Sequence, residues 1–183
     1  MAVKERINGV DTTTLREISE EVRKHPAAAR CEFRASNTWM EGGHNQTRIQ
    51  GYYAAGHEQK TRPKPFTMEA DEPPALLGTD KAPNPVEYLL GALASCMTTS
   101  IVYHLSMKGY RIHAISSEMK GEIDLQGFLG INHSIPKGYK KIEASFKIKT
   151  DAPKATIEEA YKFSPTYSML SKGTPIEVKL HLS

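Results

Sequence analysis

Residues 84–108 constrain this chain more than any other stretch, because their pattern fits only a long, strongly apolar helix. Asn84 is a good N-cap, Pro85 suits the first helical position, and Glu87 falls where a capping-box carboxylate belongs. Gly109 ends the run. Apolar residues cover most of the circumference, so the helix is expected to be buried on nearly all sides and to lie centrally, against its own copy in a dimer. Cys96 sits about three turns in, too deep to feel the N-terminal dipole much. At ~100° per residue Ser100 and Tyr103 share its face, and His104 lies about 80° away. Cys96 is either a small core filler or a reactive sulfur in a dry pocket. An unperturbed thiol with a pKa of about 8.5 is only a few per cent thiolate at pH 7. Reactivity therefore requires a cationic or donor neighbour from elsewhere in the fold.

The rest of the chain sets bounds. A length of 183 residues fits one domain, and 39% hydrophobic with 25% charged residues fits a soluble globular protein. The net charge of +3 is small and the basic residues are dispersed, so no nucleic-acid partner is expected. No apolar run approaches membrane-spanning length, and the first residues lack a signal-peptide pattern, so no membrane partner is expected. Two cysteines make no disulfide framework, which points to free thiols in a reducing, cytoplasmic setting. No CxxC, HExxH or Walker-type loop is present, and the seven histidines show no metal-ligand spacing, so neither metal nor cofactor is expected.

Periodicity assigns the remaining elements. Residues 12–25 form an amphipathic helix, with Thr12 to Thr14 offering the cap, a Leu15, Ile18 and Val22 stripe, and Pro26 as the stop. Cys31, Phe33, Ala35 and Trp39 line the inner face of a half-buried strand, so Cys31 reads as core. Gly42-Gly43 turns into a second strand near 46–55. Residues 56–84 are polar and proline-rich, an ordered loop or lid with a short strand at Phe66 to Ala70. Strands follow within 111–126, at 142–148 and at 176–182, each with one wet face. Between the last two, a helix at 153–163 is started by Asp151 and Pro153, and Ser164 caps a second helix with Pro165 in its first position. The order β-β-β-α-β-β-α-α-β argues α+β, a mostly antiparallel sheet with helices against one face. His44, just after the Gly-Gly turn, is either a solvent-exposed turn histidine or a side chain aimed into a pocket. His104 reads as a core or interface histidine.

The Asn-Pro step, apolar helix and cysteine of residues 84–96 resemble the OsmC/Ohr family of thiol peroxidases. Gly42-Gly43-His44-Asn45 resembles that family's first turn, Ser164-Pro165-Thr166-Tyr167-Ser168 its Cys-Pro segment, and Thr174-Pro175-Ile176-Glu177-Val178 its final strand. The resemblance covers about residues 29–182, and divides the chain into an N-terminal helical extension at 1–28 and an OsmC-like domain at 29–183. It implies an intertwined homodimer with two central helices back to back and an active site at each subunit junction. It also implies a peroxidatic cysteine, which matches Cys96, acting on organic hydroperoxides or hydrogen peroxide, with an external dithiol as reductant.

Part of that apparatus is changed here. Ser164 stands at the resolving-cysteine position and cannot form a disulfide. Val86 stands where the family has a glutamate, and Glu87, one residue later, is better explained as the cap. His44 aligns with the arginine of the first turn, and the strand at 66–70 holds no arginine. Arg48 or Arg62 could substitute from nearby backbone. Two readings follow: a one-cysteine peroxidase, or a non-catalytic dimer whose interface pocket binds a small apolar or thiol-containing ligand. A purely structural role is a distant third, since no large charge run or adhesive repeat is present.

Overall fold

The computed structural model describes residues 5–179. The chain is α+β, with antiparallel sheets and one long helix. Its internal contacts gather into two compact units, one made of residues up to Arg6 with Asp11–Leu89, the other of Ile7–Val10 with Leu90 onward. The appendage expected at 1–28 is thus divided, because the tip of its first hairpin belongs with the C-terminal half.

The chain opens with β1 (Arg6–Ile7) and β2 (Val10–Asp11), a two-stranded hairpin around Asn8-Gly9, followed by α1 (Thr12–Lys24). The cap of α1 is Asp11 rather than a threonine: its carboxylate accepts from the Thr14 backbone N–H at 2.8 Å. A carboxylate at this position also complements the partial positive charge of the helix start. Pro26 ends the helix as expected and opens a 3-10 turn.

The first unit then builds two three-stranded sheets. In one, β3 (Glu32–Phe33), β6 (Tyr52–Ala54) and β7 (His57–Gln59) pair; in the other, β4 (Ser36–Glu41), β5 (His44–Ile49) and β8 (Phe66–Ala70) pair, in the orders β3-β6-β7 and β4-β5-β8. Phe33 faces Tyr52 and Ser36 faces Arg48, so three steps on one strand oppose four on the other. The extra residue breaks what the alternation suggests are two long strands into four short ones and resets the faces. Strand β7 was hidden in the polar stretch; it returns through Ala55 and Gly56, both at positive φ, the geometry of a tight two-residue hairpin. Cys31 lies before β3 and is exposed, as are Phe33 and Trp39. The core assignment of Cys31 is therefore overturned: among the described residues it stands exposed.

Loop 71–84 is ordered by a buried carboxylate. Asp71 is 2% exposed and accepts from the backbone N–H groups of Glu72, Thr79 and Lys81 and from the Thr79 hydroxyl. Gly78 makes the close pass possible, since a Cβ there would stand 1.7 Å from the Glu72 carbonyl oxygen.

The long helix α2 (Pro85–Met107) follows. Asn84 and Glu87 cap it reciprocally: the Asn84 N–H donates to Glu87 Oε2 at 2.9 Å and the Glu87 N–H donates to Asn84 Oδ1 at 3.0 Å. At the far end the Tyr110 N–H donates to the Leu105 carbonyl at 3.0 Å, with Gly109 left-handed between them. Leu93, Met97, Ile101 and Leu105 are buried at a four-residue spacing. The expectation of burial on nearly all sides is corrected, because a single chain covers one stripe. By length and composition α2 is also the one described helix able to cross a membrane, contrary to the sequence estimate. A third of its apolar window is buried inside the protein, and core helices pass the same test.

In the second unit β9 (Ile112–Glu122) pairs antiparallel with β10 (Lys141–Thr150). The expected strand through 126 stops early: Asp124 accepts from the Gln126 N–H and caps the one-turn helix α3 (Leu125–Phe128), so Ile123 and Leu125 leave the sheet. Phe146 and Ile148 of β10, with Ile112 and Ile115 of β9, pack against the core of Ile101, Leu105 and Ala160. Helix α4 (Lys154–Ala160) starts at Pro153 with no side-chain cap, shorter than expected because residues 161–163 tighten into a 3-10 turn. Asp151 is engaged elsewhere, accepting from the Arg111 N–H at 2.7 Å. Helix α5 (Pro165–Lys172) follows Ser164. Residues 174–179 carry no strand. Alternation there lacks a described edge to pair with, and the rest of that expected strand lies outside the described residues.

The N-terminal hairpin tip locks into this unit. The Asn8 amide donates to Ser106 Oγ and to the Tyr110 carbonyl, each at 2.9 Å, and its oxygen accepts from the Ile112 N–H at 2.8 Å. Asn8 thereby ties the end of α2 to the start of β9.

Candidate functional site

The site is built where α2 meets the start of α5. Ser164 is fully buried. Its Oγ accepts the Tyr167 N–H at 3.2 Å, the ordinary N-cap bond, and lies 3.2 Å from Thr166 Oγ1. Pro165, in the first helical position, has no N–H to satisfy. Thr166 contributes an amide that has no acceptor inside its own helix. Cys96, on α2, is partly buried. Burial pushes its thiol up, but the Ser164 hydroxyl and the backbone N–H and hydroxyl of Thr166 hold it below the usual thiol value. All three are uncharged donors. Such a sulfur favours its anion, and the thiolate is the form that attacks an electrophile.

Further along α2, the imidazole of His104 stacks on Phe163 with ring centroids 4.2 Å apart. Burial and the neighbouring Lys108 hold its pKa below the usual value, against the opposing pull of Glu159. This is the packed histidine expected from the sequence.

The other candidates lie in the first unit. His44 is not an exposed turn side chain: it is 19% exposed, and its Nε2 lies 3.2 Å from Glu69 Oε2 on β8. Arg48 is exposed on β5, between Ser36 and Thr67 in the sheet register, and lines an open cleft of about 410 Å³ with Arg34, Gln50 and Pro65. Arg62, in the loop before β8, is already engaged, its guanidinium over the Tyr52 and Phe66 rings at 4.7 and 5.4 Å and its Nη1 donating to the Gln50 carbonyl. Glu87 is consumed by the cap. The structure thus brings together Cys96 and Ser164, and separately His44 and Glu69. Sequence reasoning missed Thr166 and Glu69. The Ser-Pro cap was the available signal for Thr166, since it leaves that N–H without a helical partner; Glu69 depends on a pairing register no local pattern gives. Among the described residues no group of three or more His, Cys, Asp or Glu is placed to hold a metal.

Comparison with known proteins follows the same residues. The family described as OsmC-like protein matches residues 78–179, more than half of the chain. Among solved structures, the chain is similar to an OsmC-like protein from Mycoplasma pneumoniae, with 16% identity, 77% of this chain and 88% of that one covered, and a TM-score of 0.56. It is similar to an OsmC-like protein of unknown function from Vibrio cholerae, with 11% identity, 74% and 90% covered, and a TM-score of 0.53. A structure from Legionella pneumophila, described as an organic hydroperoxide resistance protein OsmC, is 15% identical over 77% of this chain and 90% of that one, with a TM-score of 0.51. At these identities the likeness is one of fold. No curated protein sequence matches.

Proposed function

The chain belongs to the OsmC-like protein family, and from that premise we propose that it is a one-cysteine thiol peroxidase acting through Cys96. What supports this reading is Cys96 on α2, a partly buried thiol held below its usual value by Ser164 and Thr166 against the effect of burial. The Cys96 thiolate attacks the terminal oxygen of a hydroperoxide ROOH, forming the S–O bond as the O–O bond breaks; the alkoxide leaves and takes a proton from water as ROH, and Cys96 is left as sulfenic acid. An external thiol then attacks the sulfenic sulfur, giving a mixed disulfide and water. A second thiol, or the second sulfur of a dithiol, releases reduced Cys96 and carries away the disulfide. Ser164 cannot form an internal disulfide, so the reductant must reach Cys96 directly.

The substrate class is a small apolar hydroperoxide, a reading supported by the description of the Legionella relative. The working unit is an intertwined homodimer, supported by the apolar surface a single chain leaves open, with Phe33 71%, Trp39 70% and Phe66 61% exposed. In it, His44 with Glu69, or Arg48, would meet the substrate. Two free cysteines suit a reducing, cytoplasmic setting in which a dithiol is at hand. A non-catalytic ligand-binding dimer gives no reason for a thiol shifted toward its anion. The test is hydroperoxide consumption with added dithiol, with mass-spectrometric trapping of oxidised Cys96. Cys31→Ser should consume peroxide as the parent does, and Cys96→Ser should not. Equal consumption by Cys96→Ser would remove Cys96 from the reaction.

A further inference from the structure

The break between the two sheets of the first unit opens a cleft. The β3–β6 register ends where Phe33 faces Tyr52, and the β4–β5 register begins where Ser36 faces Arg48. Arg34, Ala35, Gln50 and Gly51 fall between the two and belong to neither strand pair. These four residues, with Ser36, Arg48 and Pro65, surround the opening of about 410 Å³, a size common among small-molecule sites. Both charged side chains in that lining, Arg34 and Arg48, are cations. Arg34 already has carboxylate partners: its Nη2 donates to Glu58, and its Nε lies 3.0 Å from Glu32 Oε1. Arg48 has neither a hydrogen bond nor an ion pair among the described residues. Ser36, opposite it in the register, also has a hydroxyl with no partner among the described residues. Gln50 is committed elsewhere, its amide donating to the Arg62 carbonyl at 3.3 Å while its own carbonyl accepts from Arg62 Nη1 at 3.2 Å. That exchange fixes one wall of the cleft. A free guanidinium offers five donors in a planar fork, and with a second cation beside it and no carboxylate in the lining it is matched to an oxyanion.

We propose that this cleft binds the carboxylate or phosphate group of a small acid, with Arg48 as the bidentate anchor and Arg34 and Ser36 as supporting donors. The body of the ligand runs over Gly51 toward a neighbouring cleft of about 550 Å³, which shares Gln50 and Gly51 with the first. Glycine leaves that shared wall open: a Cβ there would meet nothing within 4 Å. The site lies wholly within the first unit and uses neither Cys96 nor a peroxide, so it stands or falls apart from the reaction proposed above. It assigns Arg48 to the oxyanion and leaves His44 with Glu69 to meet the peroxide.

The experiment is isothermal titration of the full chain at low ionic strength, with inorganic phosphate in one arm, succinate in the other, and sodium chloride of matched ionic strength as the reference. Saturable binding of either acid, without a counterpart in chloride, is expected, and the tighter arm names the group. Arg48→Gln removes the charge at similar length and should weaken that binding about tenfold or more. Arg48→Lys keeps the charge but loses the fork, and should fall between the parent and Arg48→Gln. Lys172→Gln, an equal change of charge on α5, should bind as the parent does. Should Arg48→Gln fail to fold, Gly51→Leu fills the shared wall with both arginines kept and should weaken binding. Binding by a folded Arg48→Gln equal to that of the parent overturns the proposal. So does an equal loss in Lys172→Gln, unchanged binding by Gly51→Leu, or a response to both acids no greater than the response to chloride.

Discussion

Replacing Asn8 tests whether the N-terminal hairpin is a working part of the fold. Three bonds at 2.8 to 2.9 Å run from this side chain to Ser106, Tyr110 and Ile112. Each is worth about 0.5–1.5 kcal/mol net. Ser106 matters least, because its own proton is already given to the Val102 carbonyl at 2.6 Å. The Tyr110 carbonyl and the Ile112 N–H carry most of the effect, so Asn8→Gly should destabilise by about 2–3 kcal/mol. Asn8 also sits at φ +52. Alanine resists that conformation by roughly 1–2 kcal/mol, so Asn8→Ala should cost more than Asn8→Gly. Urea unfolding at a fixed protomer concentration reads both variants, as a lower midpoint at unchanged slope. If both lie within about 0.5 kcal/mol of the parent, or if alanine is no worse than glycine, the reasoning fails.

Two further outcomes follow from the loops. The Thr79 hydroxyl, with backbone N–H groups of Lys81, Glu72 and Thr79, holds the Asp71 carboxyl well below the usual carboxylate range against the opposing effect of burial. A depressed folded pKa gives stability that is complete above the unfolded value of about 3.9 and is lost as pH falls toward the folded one. Asp71→Asn should therefore lower stability at pH 6 and flatten its decline below about pH 4, seen as converging urea midpoints; parallel curves would contradict this. At α2, Asn84→Ala should cost about 1 kcal/mol, and a double-mutant cycle with Glu87→Ala should show coupling, since each side chain serves the other's N–H.

What could be read from the sequence was local. The Asn84 and Glu87 cap, the Ser164-Pro165 start of α5 and the alternation of β10 each depend on residues a few positions apart, and each stands where the pattern puts it. The misses were of another kind. Cys31 alternates like a core residue, but alternation says which residues share a face and not whether anything covers it. The single buried stripe of α2 has the same cause. The pairing of His44 with Glu69 depends on how β5 and β8 register across 25 residues. At Cys96 the sequence supplied the nucleophile and Ser164, while Thr166 became visible only once α5 was placed against α2.

The Asn8 contacts also have a consequence for how the chain is made. Asn8 and Ile112 are 104 positions apart. On a ribosome adding roughly 5–20 residues per second, the hairpin tip waits on the order of 5–20 s before its binding partner is even synthesised. During that interval it is free to be held by a nascent-chain chaperone, and it closes onto the C-terminal half as a late step in biogenesis rather than an early one.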